Sequence, residues 1–241
     1  MTYLRYELLR TIRNRRFFII SLAIPVVIYL IVAASSHAKN LPGTGIPLKV
    51  YFMVSLAVFG SMNAVLGAGT RIAAERTTGW NRQLRLTPLS TRAYFGTKVF
   101  TGYAVAGATI ALLYVVGAGF GVRLGAANWL EMTGYLLVGL VPFAALGILL
   151  GHLVTADAVG PTVGGASALL AFLGGVWFPV GTSGVLYYVA QALPSYWLVQ
   201  ASRVGLGASG WGREGWLVIG IWTFGAARLA MRAYARDTGR A

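Results

Sequence analysis

Long apolar runs separated by short charged segments make up most of the chain, and their lengths are typical of membrane spans. A transmembrane helix needs about 20 mostly apolar residues to cross a hydrocarbon core of about 30 Å. Five runs meet this requirement, and a sixth does so only if Arg228 extends toward the lipid headgroups. The pattern predicts an all-α integral membrane protein with six transmembrane helices, at residues 17–36, 50–70, 99–122, 132–154, 159–178 and 215–234.

Two segments outside these spans have helical patterns of their own. In residues 1–16, Leu4, Leu8 and Ile12 share one stripe, while Arg5, Arg13 and Arg16 lie away from it. This pattern predicts an amphipathic helix that lies on an anionic inner leaflet, and the five arginines are too many for an ordinary signal peptide. In residues 179–212 the apolar pieces, Val185–Ala190 and Tyr196–Val199, are too short to span and predict interfacial or re-entrant helices.

The composition excludes several classes of protein. Hydrophobic residues make up 57% of the chain and charged residues 11%, against about 25% charged in a typical soluble domain. Lys and Arg number 20 and Asp and Glu number 6, so the net charge is +14. A nucleic-acid partner is not expected, because such a protein needs its basic residues on a solvated face. With no cysteine, disulfides and cysteine metal sites are excluded.

The basic residues also predict the orientation in the membrane. With six spans and an inside N-terminus, fifteen of the 20 Lys and Arg residues fall on the inside. A seven-span alternative would place the four C-terminal arginines outside. We therefore expect both termini in the cytoplasm.

Chemistry at membrane depth is sparse. The five apolar spans contain no Asp, Glu, Lys or Arg, and a lone histidine, His152, lies near the end of the fourth. Proton relays and ion sites need such groups, so the chain is not expected to be an enzyme. Gly181–Gly184 spells G-x-S-G, as in a membrane serine protease, but a turn is the better interpretation because no base is placed nearby.

Small and uncharged polar residues remain as candidates for packing or transport. Small residues four apart, at Gly117/Gly121, Gly147/Gly151 and Gly160/Gly164, allow close helix approach, either within the chain or in a dimer. Ser61, Asn63 and Thr109 could line a substrate path or satisfy internal hydrogen bonds.

The loop at residues 71–98 has the most specific pattern. Gly79 offers a break after the second span, and Thr87-Pro88 stops any helix before Ser90, which is placed to cap the next one. Between them, apolar Trp80, Leu84 and Leu86 alternate with Arg82 and Arg85. This predicts a short amphipathic helix that docks on a soluble partner. A basic loop held to lipid headgroups is the alternative.

At this loop the chain resembles the permease subunits of the ABC-2 type transporter family, in particular the small bacterial drug-exporter permeases of the daunorubicin-resistance type. The first matching pattern is E-R-x-x-G-x-x-x-x-L-R-x-T-P-L-S, here Glu75, Arg76, Gly79, Leu84, Arg85, Thr87, Pro88, Leu89 and Ser90. The second is an outer re-entrant motif, here Gly174, Gly175, Phe178 and Pro179, followed by Pro194 and Trp197.

The resemblance implies one ABC-2 type transmembrane domain over residues 1–241, in the cell membrane of a bacterium and surrounded by membrane lipids. Residues 75–90 would form a cytoplasmic coupling loop that enters a groove on an ABC ATP-binding subunit, and a second permease copy would complete a dimer. The coupling contacts would come from Glu75, Arg76, Gly79, Trp80, Arg82, Leu84, Arg85 and Pro88. No cofactor is expected on this chain, which lacks a G-x-x-x-x-G-K-[ST] phosphate loop, so ATP and Mg would bind to the partner.

The expected function is therefore ATP-driven export. Spans without fixed charge favour a hydrophobic or amphipathic cargo, such as a drug, an antibiotic or a lipid-like molecule. A permease for a lipid-linked polysaccharide and a non-transporting membrane anchor for a cytoplasmic partner remain as alternatives.

Overall fold

Helices account for almost all of the regular structure. The computed structural model describes residues 2–35, 40–41, 45–80, 83 and 86–239, with the side chains of residues 2, 12, 15–21, 238 and 239 excepted. Within these residues there is no strand, and the β contact is an isolated antiparallel bridge between Asn40 and Pro47. The all-α prediction is confirmed.

The described helices follow one another with short connections. In chain order they are α1 (Thr2–Arg13), α2 (Arg15–Ser35), α3 (Leu48–Thr77), α4 (Thr91–Gly119), α5 (Ala126–Gly139), α6 (Val141–Leu153), α7 (Val159–Gly174), α8 (Val185–Gln191), α9 (Pro194–Arg203) and α10 (Arg213–Gly239), with a 3₁₀ turn at Val204–Leu206 after α9.

Several of these helices are suited to a membrane. Within the described part of the chain, three stretches are long and apolar enough to cross one: α3, α4, and α5 together with α6. The apolar part of α2 from Leu22 and the whole of α7 are shorter. The outer faces carry large apolar side chains, for example Val115 at 69%, Ile221 at 68% and Phe224 at 77% exposure. The chain is a multi-pass membrane protein.

α3 is the central helix of the bundle. It packs against α2, α4, α6 and α7, and 78% of its most apolar stretch is buried, against 39% for α4. Its closest approach is to α6, where a Cβ added to Gly151 would lie 2.6 Å from the carbonyl oxygen of Gly69. The Gly147/Gly151 pair therefore serves packing within the chain.

The helices differ in length from the apolar runs that predict them. α3 continues to Thr77, and at about 1.5 Å per residue its 30 residues extend about 45 Å, beyond the hydrocarbon core. α7 ends at Gly174 because Gly175 has a φ of +83°. The fourth predicted span is two helices, α5 and α6, with Pro142 in the first turn of the second. Ser36, at the end of the first predicted span, lies outside the described residues.

Candidate functional site

The loop between α3 and α4 begins where glycine ends a helix. Gly79 has a φ of +69°, and the backbone N–H groups of Thr78 and Gly79 donate to the carbonyls of Ala74 and Arg76. Trp80 and Gln83 are helical, with the N–H of Gln83 donating to the carbonyl of Gly79 at 3.3 Å. The predicted break at Gly79 is confirmed.

The loop ends with the predicted cap. Thr87 and Pro88 lie in a turn, and the hydroxyl of Ser90 accepts a hydrogen bond from the backbone N–H of Ala93 at 3.2 Å. This N-cap satisfies one of the free donors at the start of α4. We call the end of the bundle that carries this loop the loop end.

The loop presents apolar side chains to its surroundings. Leu86 is 90% exposed and Trp80 is 39% exposed. Pro88 is also exposed. Three further predicted coupling residues, Arg82, Leu84 and Arg85, lie outside the described residues. These side chains are therefore available for contact with a partner or with lipid headgroups.

Glu75 does not belong to that surface. Its side chain is 1% exposed and accepts hydrogen bonds from the hydroxyl of Tyr94 at 2.6 Å and from Nη1 of Arg10 at 3.0 Å. Nζ of Lys98 also donates to it. The sequence assigned Glu75 to a contact with a partner, whereas the structure buries it against α1 and α4. Its carboxylate is occupied by groups of its own chain.

Lys98 joins Glu75 to α1. It is 1% exposed, and its Nζ lies 2.7 Å from Oε1 of Glu7, which is itself 3% exposed. We call Glu7, Arg10, Glu75 and Lys98 the α1 cluster. Each of its two carboxylates lies beside Lys98 and Arg10, which meets the requirement that buried charges be paired.

α1 is therefore oriented by polar groups. Besides Glu7, Thr11 is buried and accepts a hydrogen bond from Nη1 of Arg71, while Leu4 and Leu8 of the predicted apolar stripe are only half-buried. Burial raises the pKa of the Tyr3 hydroxyl beside this cluster, and the negative charges of Glu7 and Glu75 raise it further. Tyr3 is neutral at physiological pH.

Arg76 forms a separate cluster on the other side of α3. Its Nε lies 3.1 Å from Oδ2 of Asp237, and the same oxygen is 2.8 Å from Nδ1 of His152. Its Nη1 donates to the carbonyl oxygen of His152 at 2.7 Å, close to the end of α6. We call Arg76, His152 and Asp237 the α10 cluster. His152, left without a role by the sequence, is a buried partner of Asp237.

Consecutive residues thus attach the loop to four helices. Successive side chains of a helix point about 100° apart, so Glu75 reaches α1 and α4 while Arg76 reaches α6 and α10. The sequence did not indicate this, because Glu7, Lys98 and Asp237 are distant along the chain.

A groove separates α7 from α2 and α3. Its volume is about 650 Å³, and its walls are mostly apolar or small residues. Asn63 lies in the wall, with its Nδ2 donating to the carbonyl of Phe59 at 2.8 Å. The other two predicted path residues are placed elsewhere: Ser61 and Thr109 are fully buried and donate to carbonyls of their own helices.

The predicted glycine pairs have different surroundings in the structure. Gly160 and Gly164 lie in the groove wall, and a Cβ added to either would meet nothing within 4 Å. A Cβ on Gly117 would instead strike Met53. Gly160 and Gly164 therefore face open space, whereas Gly117 serves packing within the chain.

The predicted re-entrant motif lies at the opposite end of the bundle. The carbonyl of Gly175 accepts hydrogen bonds from the hydroxyl of Tyr51 at 3.0 Å and from Nη2 of Arg203 at 3.1 Å. A Cβ on Gly174 would lie 2.8 Å from Ser195, so α7 and α9 touch there through glycine. Phe178, at 70% exposure, and Pro179 are exposed in the turn that follows.

Indole groups connect the short helices of this opposite end. Nε1 of Trp197 donates to the carbonyl of Gln191 at 2.8 Å, and Nε1 of Trp211 donates to the carbonyl of Trp197 at 2.9 Å. Nε1 of Trp222 donates to the carbonyl of Ala192 at 2.8 Å. Pro194 begins α9. The sequence predicted two short helical pieces in this region, and the structure contains α8 and α9.

These apolar helices, with exposed apolar side chains on a polar loop, define a multi-pass membrane protein. Residues 39–230 match the family model described as "ABC-2 family transporter protein". The match covers most of the chain, so the chain belongs to the ABC-2 transporter family. It is also 27% identical over 197 residues to "Putative transport permease YvfS" of Bacillus subtilis (strain 168), covering 79% of this chain and 78% of that protein. The resemblance seen in the sequence is confirmed, and the family is one of transport permeases rather than enzymes.

Proposed function

We propose that this chain is the transmembrane permease subunit of an ATP-driven exporter of hydrophobic or amphipathic small molecules. ATP and Mg bind to a separate cytoplasmic ATP-binding subunit. The observation that carries the proposal is the exposure of Leu86, at 90%, and Trp80, at 39%, on a loop whose base is tied into two charged clusters. Exposed apolar anchors on a fixed base are what a docking element requires.

In this proposal the exposed part of the loop and its base at the end of α3 have different roles. Trp80, Leu86 and Pro88 contact the partner. Glu75 and Arg76 position the loop and pass its displacement to α1, α4, α6 and α10, since their side chains are held within the chain. Coupling needs contacts that differ between two states, and in this proposal the side chains of the loop that meet the partner supply them.

The topology of the proposal is six spans with both termini in the cytoplasm. The loop end carries many basic residues, including Arg10, Arg13, Arg76, Arg92 and Arg236, which supports its placement on the cytoplasmic side. α10 has 27 residues and is the sixth span, with Arg232 and Arg236 near the headgroups. α8 and α9 form the re-entrant pair near the outer surface.

The groove between α2, α3 and α7 is the proposed cargo path. Its walls are mostly apolar, with Asn63 as a polar group at membrane depth and with Asn14 and Arg71 in the lining toward the loop end. The open glycines Gly160 and Gly164 let another helix approach closely there. A second permease copy facing this groove would enclose a path between the two subunits.

The first experiment tests the partner. The tagged chain is purified from its native membrane in mild detergent, and every stoichiometric partner is identified and assayed for ATPase activity. Recovery of a soluble subunit with a phosphate loop is expected. The double variant Trp80→Ala/Leu86→Ser should insert into the membrane normally. The amount of the ATPase subunit recovered with it should fall at least tenfold, because two apolar anchors are removed.

Leu186→Ser is the matched control, since Leu186 is 55% exposed but lies in α8 at the opposite end. It should keep the partner. Equal recovery with the control and the double variant would refute the docking surface. Recovery of the chain alone, without an ATPase, would favour the anchor function instead.

The second experiment tests the path. Asn63→Leu replaces the polar group in the groove wall and should change the order of preference among exported compounds in ATP-dependent vesicle transport. Thr109→Val is the control, because Thr109 is fully buried behind the groove wall, outside its lining, and its hydroxyl donates to a carbonyl of its own helix. An unchanged cargo range in Asn63→Leu would return Asn63 to a packing role.

A further inference from the structure

A second cavity lies at the loop end, between α6 and α10. Its volume is about 440 Å³. It is separate from the groove and from the loop surface. The residues that line it are Arg76, Leu149, His152, Leu153, Leu229, Arg232, Ala233, Arg236 and Asp237.

The charged part of this lining is positive. Arg232 and Arg236 are four residues apart on α10 and therefore share one face. Among the described residues neither forms an ion pair, whereas the carboxylate of Asp237 is already shared by Arg76 and His152. The cavity thus has more cationic groups than its single carboxylate can balance.

The remaining lining is apolar and faces outward. Leu153 is 64% exposed and Leu229 is 50% exposed, one on each helix that borders the cavity. In a membrane Leu229 contacts acyl chains, while Arg232 and Arg236, one and two turns nearer the C-terminus of α10, are at headgroup level. Leu153 follows His152, which contacts Asp237, and therefore borders the headgroup level. The site therefore suits a ligand with an anionic head and an apolar tail.

We propose that this cavity binds the phosphate headgroup of an anionic phospholipid from the leaflet at the loop end. Arginine matches phosphate oxygens with two parallel N–H donors, and basic pockets between transmembrane helices are suited to anionic headgroups. A free phosphate ion offers the same head but leaves the exposed leucines without a partner. Because Asp237 and Arg76 lie in the same lining, the bound lipid steadies the α10 cluster at the base of the loop.

The inference rests on the proposed membrane placement of α6 and α10 but not on transport. Its test uses neither ATP nor cargo, so the lipid site and the exporter function fail separately. The full chain is purified in a neutral detergent and titrated with phosphatidylglycerol or with phosphatidylcholine of the same acyl chains. Bound lipid is counted by native mass spectrometry, and thermal unfolding is followed in parallel.

The wild type should bind phosphatidylglycerol in preference to phosphatidylcholine. The variant Arg232→Gln/Arg236→Gln should bind phosphatidylglycerol about 25-fold more weakly, because the loss of each arginine weakens binding about fivefold. The control Arg123→Gln/Arg213→Gln removes the same charge from exposed positions at the opposite end, outside the cavity lining, and should stay within about threefold of wild type.

Three results would overturn the proposal. Equal weakening by both double variants would indicate diffuse attraction to the net positive charge of the chain. Displacement of phosphatidylglycerol by millimolar sodium phosphate would assign the cavity to a soluble anion. Equal affinity for the two lipids in the wild type would mean that the arginines do not recognise the headgroup.

If the glutamine variant unfolds, Arg232→Lys/Arg236→Lys serves in its place. This variant keeps the charge but loses the paired donors, so it should bind phosphatidylglycerol several-fold more weakly than the wild type. Unchanged binding would contradict recognition by arginine.

Discussion

The two ends of the bundle are held together by different forces. At the loop end, the α1 cluster and the α10 cluster join α3 to four other helices through charged groups. At the opposite end, α8, α9 and α10 are joined by indole N–H groups that donate to backbone carbonyls. Arg203 also donates to a neutral group there, the carbonyl of Gly175.

The difference suits the proposed roles of the two ends. A buried charge depends on its partner, so removing one member of a cluster leaves the others uncompensated in a poorly hydrated site. A neutral hydrogen bond contributes less, and its loss strands only a carbonyl. The charged clusters therefore link the helices at the loop end more strictly than the indoles link them at the opposite end. This is the end at which an ATP-binding subunit would apply force.

The largest expected effect comes from breaking the α1 cluster. Lys98→Met removes the cation shared by Glu7 and Glu75 and should lower the free energy of unfolding by about 3 kcal/mol, the lower end for a broken buried pair, because Arg10 and Tyr94 still bind Glu75. Thermal or denaturant unfolding in detergent micelles would measure it.

Lys49→Met is the matched control at the opposite end. Nζ of Lys49 donates to the carbonyl of Phe120 in an exposed position, so its loss should cost less than about 1 kcal/mol. Equal losses in the two variants would contradict the contrast between the ends. The double variant Lys98→Met/Glu75→Gln should recover part of the stability, since one of the stranded carboxylates becomes neutral.

A smaller effect is expected from the α10 cluster, which is less buried. Arg76 is 34% exposed and Asp237 is 27% exposed, so Arg76→Gln should cost about 1–2 kcal/mol from lost charged hydrogen bonds, discounted for screening. Raising the salt concentration should reduce the difference between this variant and the wild type, whereas the Lys98→Met effect should persist. The opposite salt dependence would contradict the conclusion that the α10 cluster is less buried than the α1 cluster.

Much of the bundle could be predicted from local sequence. Membrane thickness fixes the length of an apolar run, so the positions of the main helices follow from the spacing of charges. The loop was predictable for a similar reason: Gly79 takes a left-handed conformation, and Ser90 caps the helix after the proline. These features depend on neighbours along the chain.

The charged clusters could not be predicted in this way. Glu7 and Lys98 are 91 residues apart, and Arg76 and Asp237 are 161 apart, so nothing local indicates that they meet. A signal was present, however, because a lysine at the start of a long apolar helix needs an anion nearby, and the chain has only 6 acidic residues to supply one. The same contacts explain why α3 and α4 extend beyond the predicted spans. Because Glu75, Arg76 and Lys98 have partners, the helices can continue past the apolar runs.

The smallest expected effect is at the opposite end. Trp222→Phe keeps an aromatic ring but removes the N–H group that donates to the carbonyl of Ala192 at 2.8 Å, and should cost about 0.5–1.5 kcal/mol. Trp216→Phe is the control, because among the described residues the indole N–H of Trp216 has no hydrogen-bond acceptor. This variant should lower the free energy of unfolding by less than Trp222→Phe does. A loss from Trp222→Phe as large as that from Lys98→Met would show that neutral bonds hold the opposite end as firmly as the clusters hold the loop end. An effect within the expected range would support the contrast between neutral bonds at the opposite end and charged clusters at the loop end.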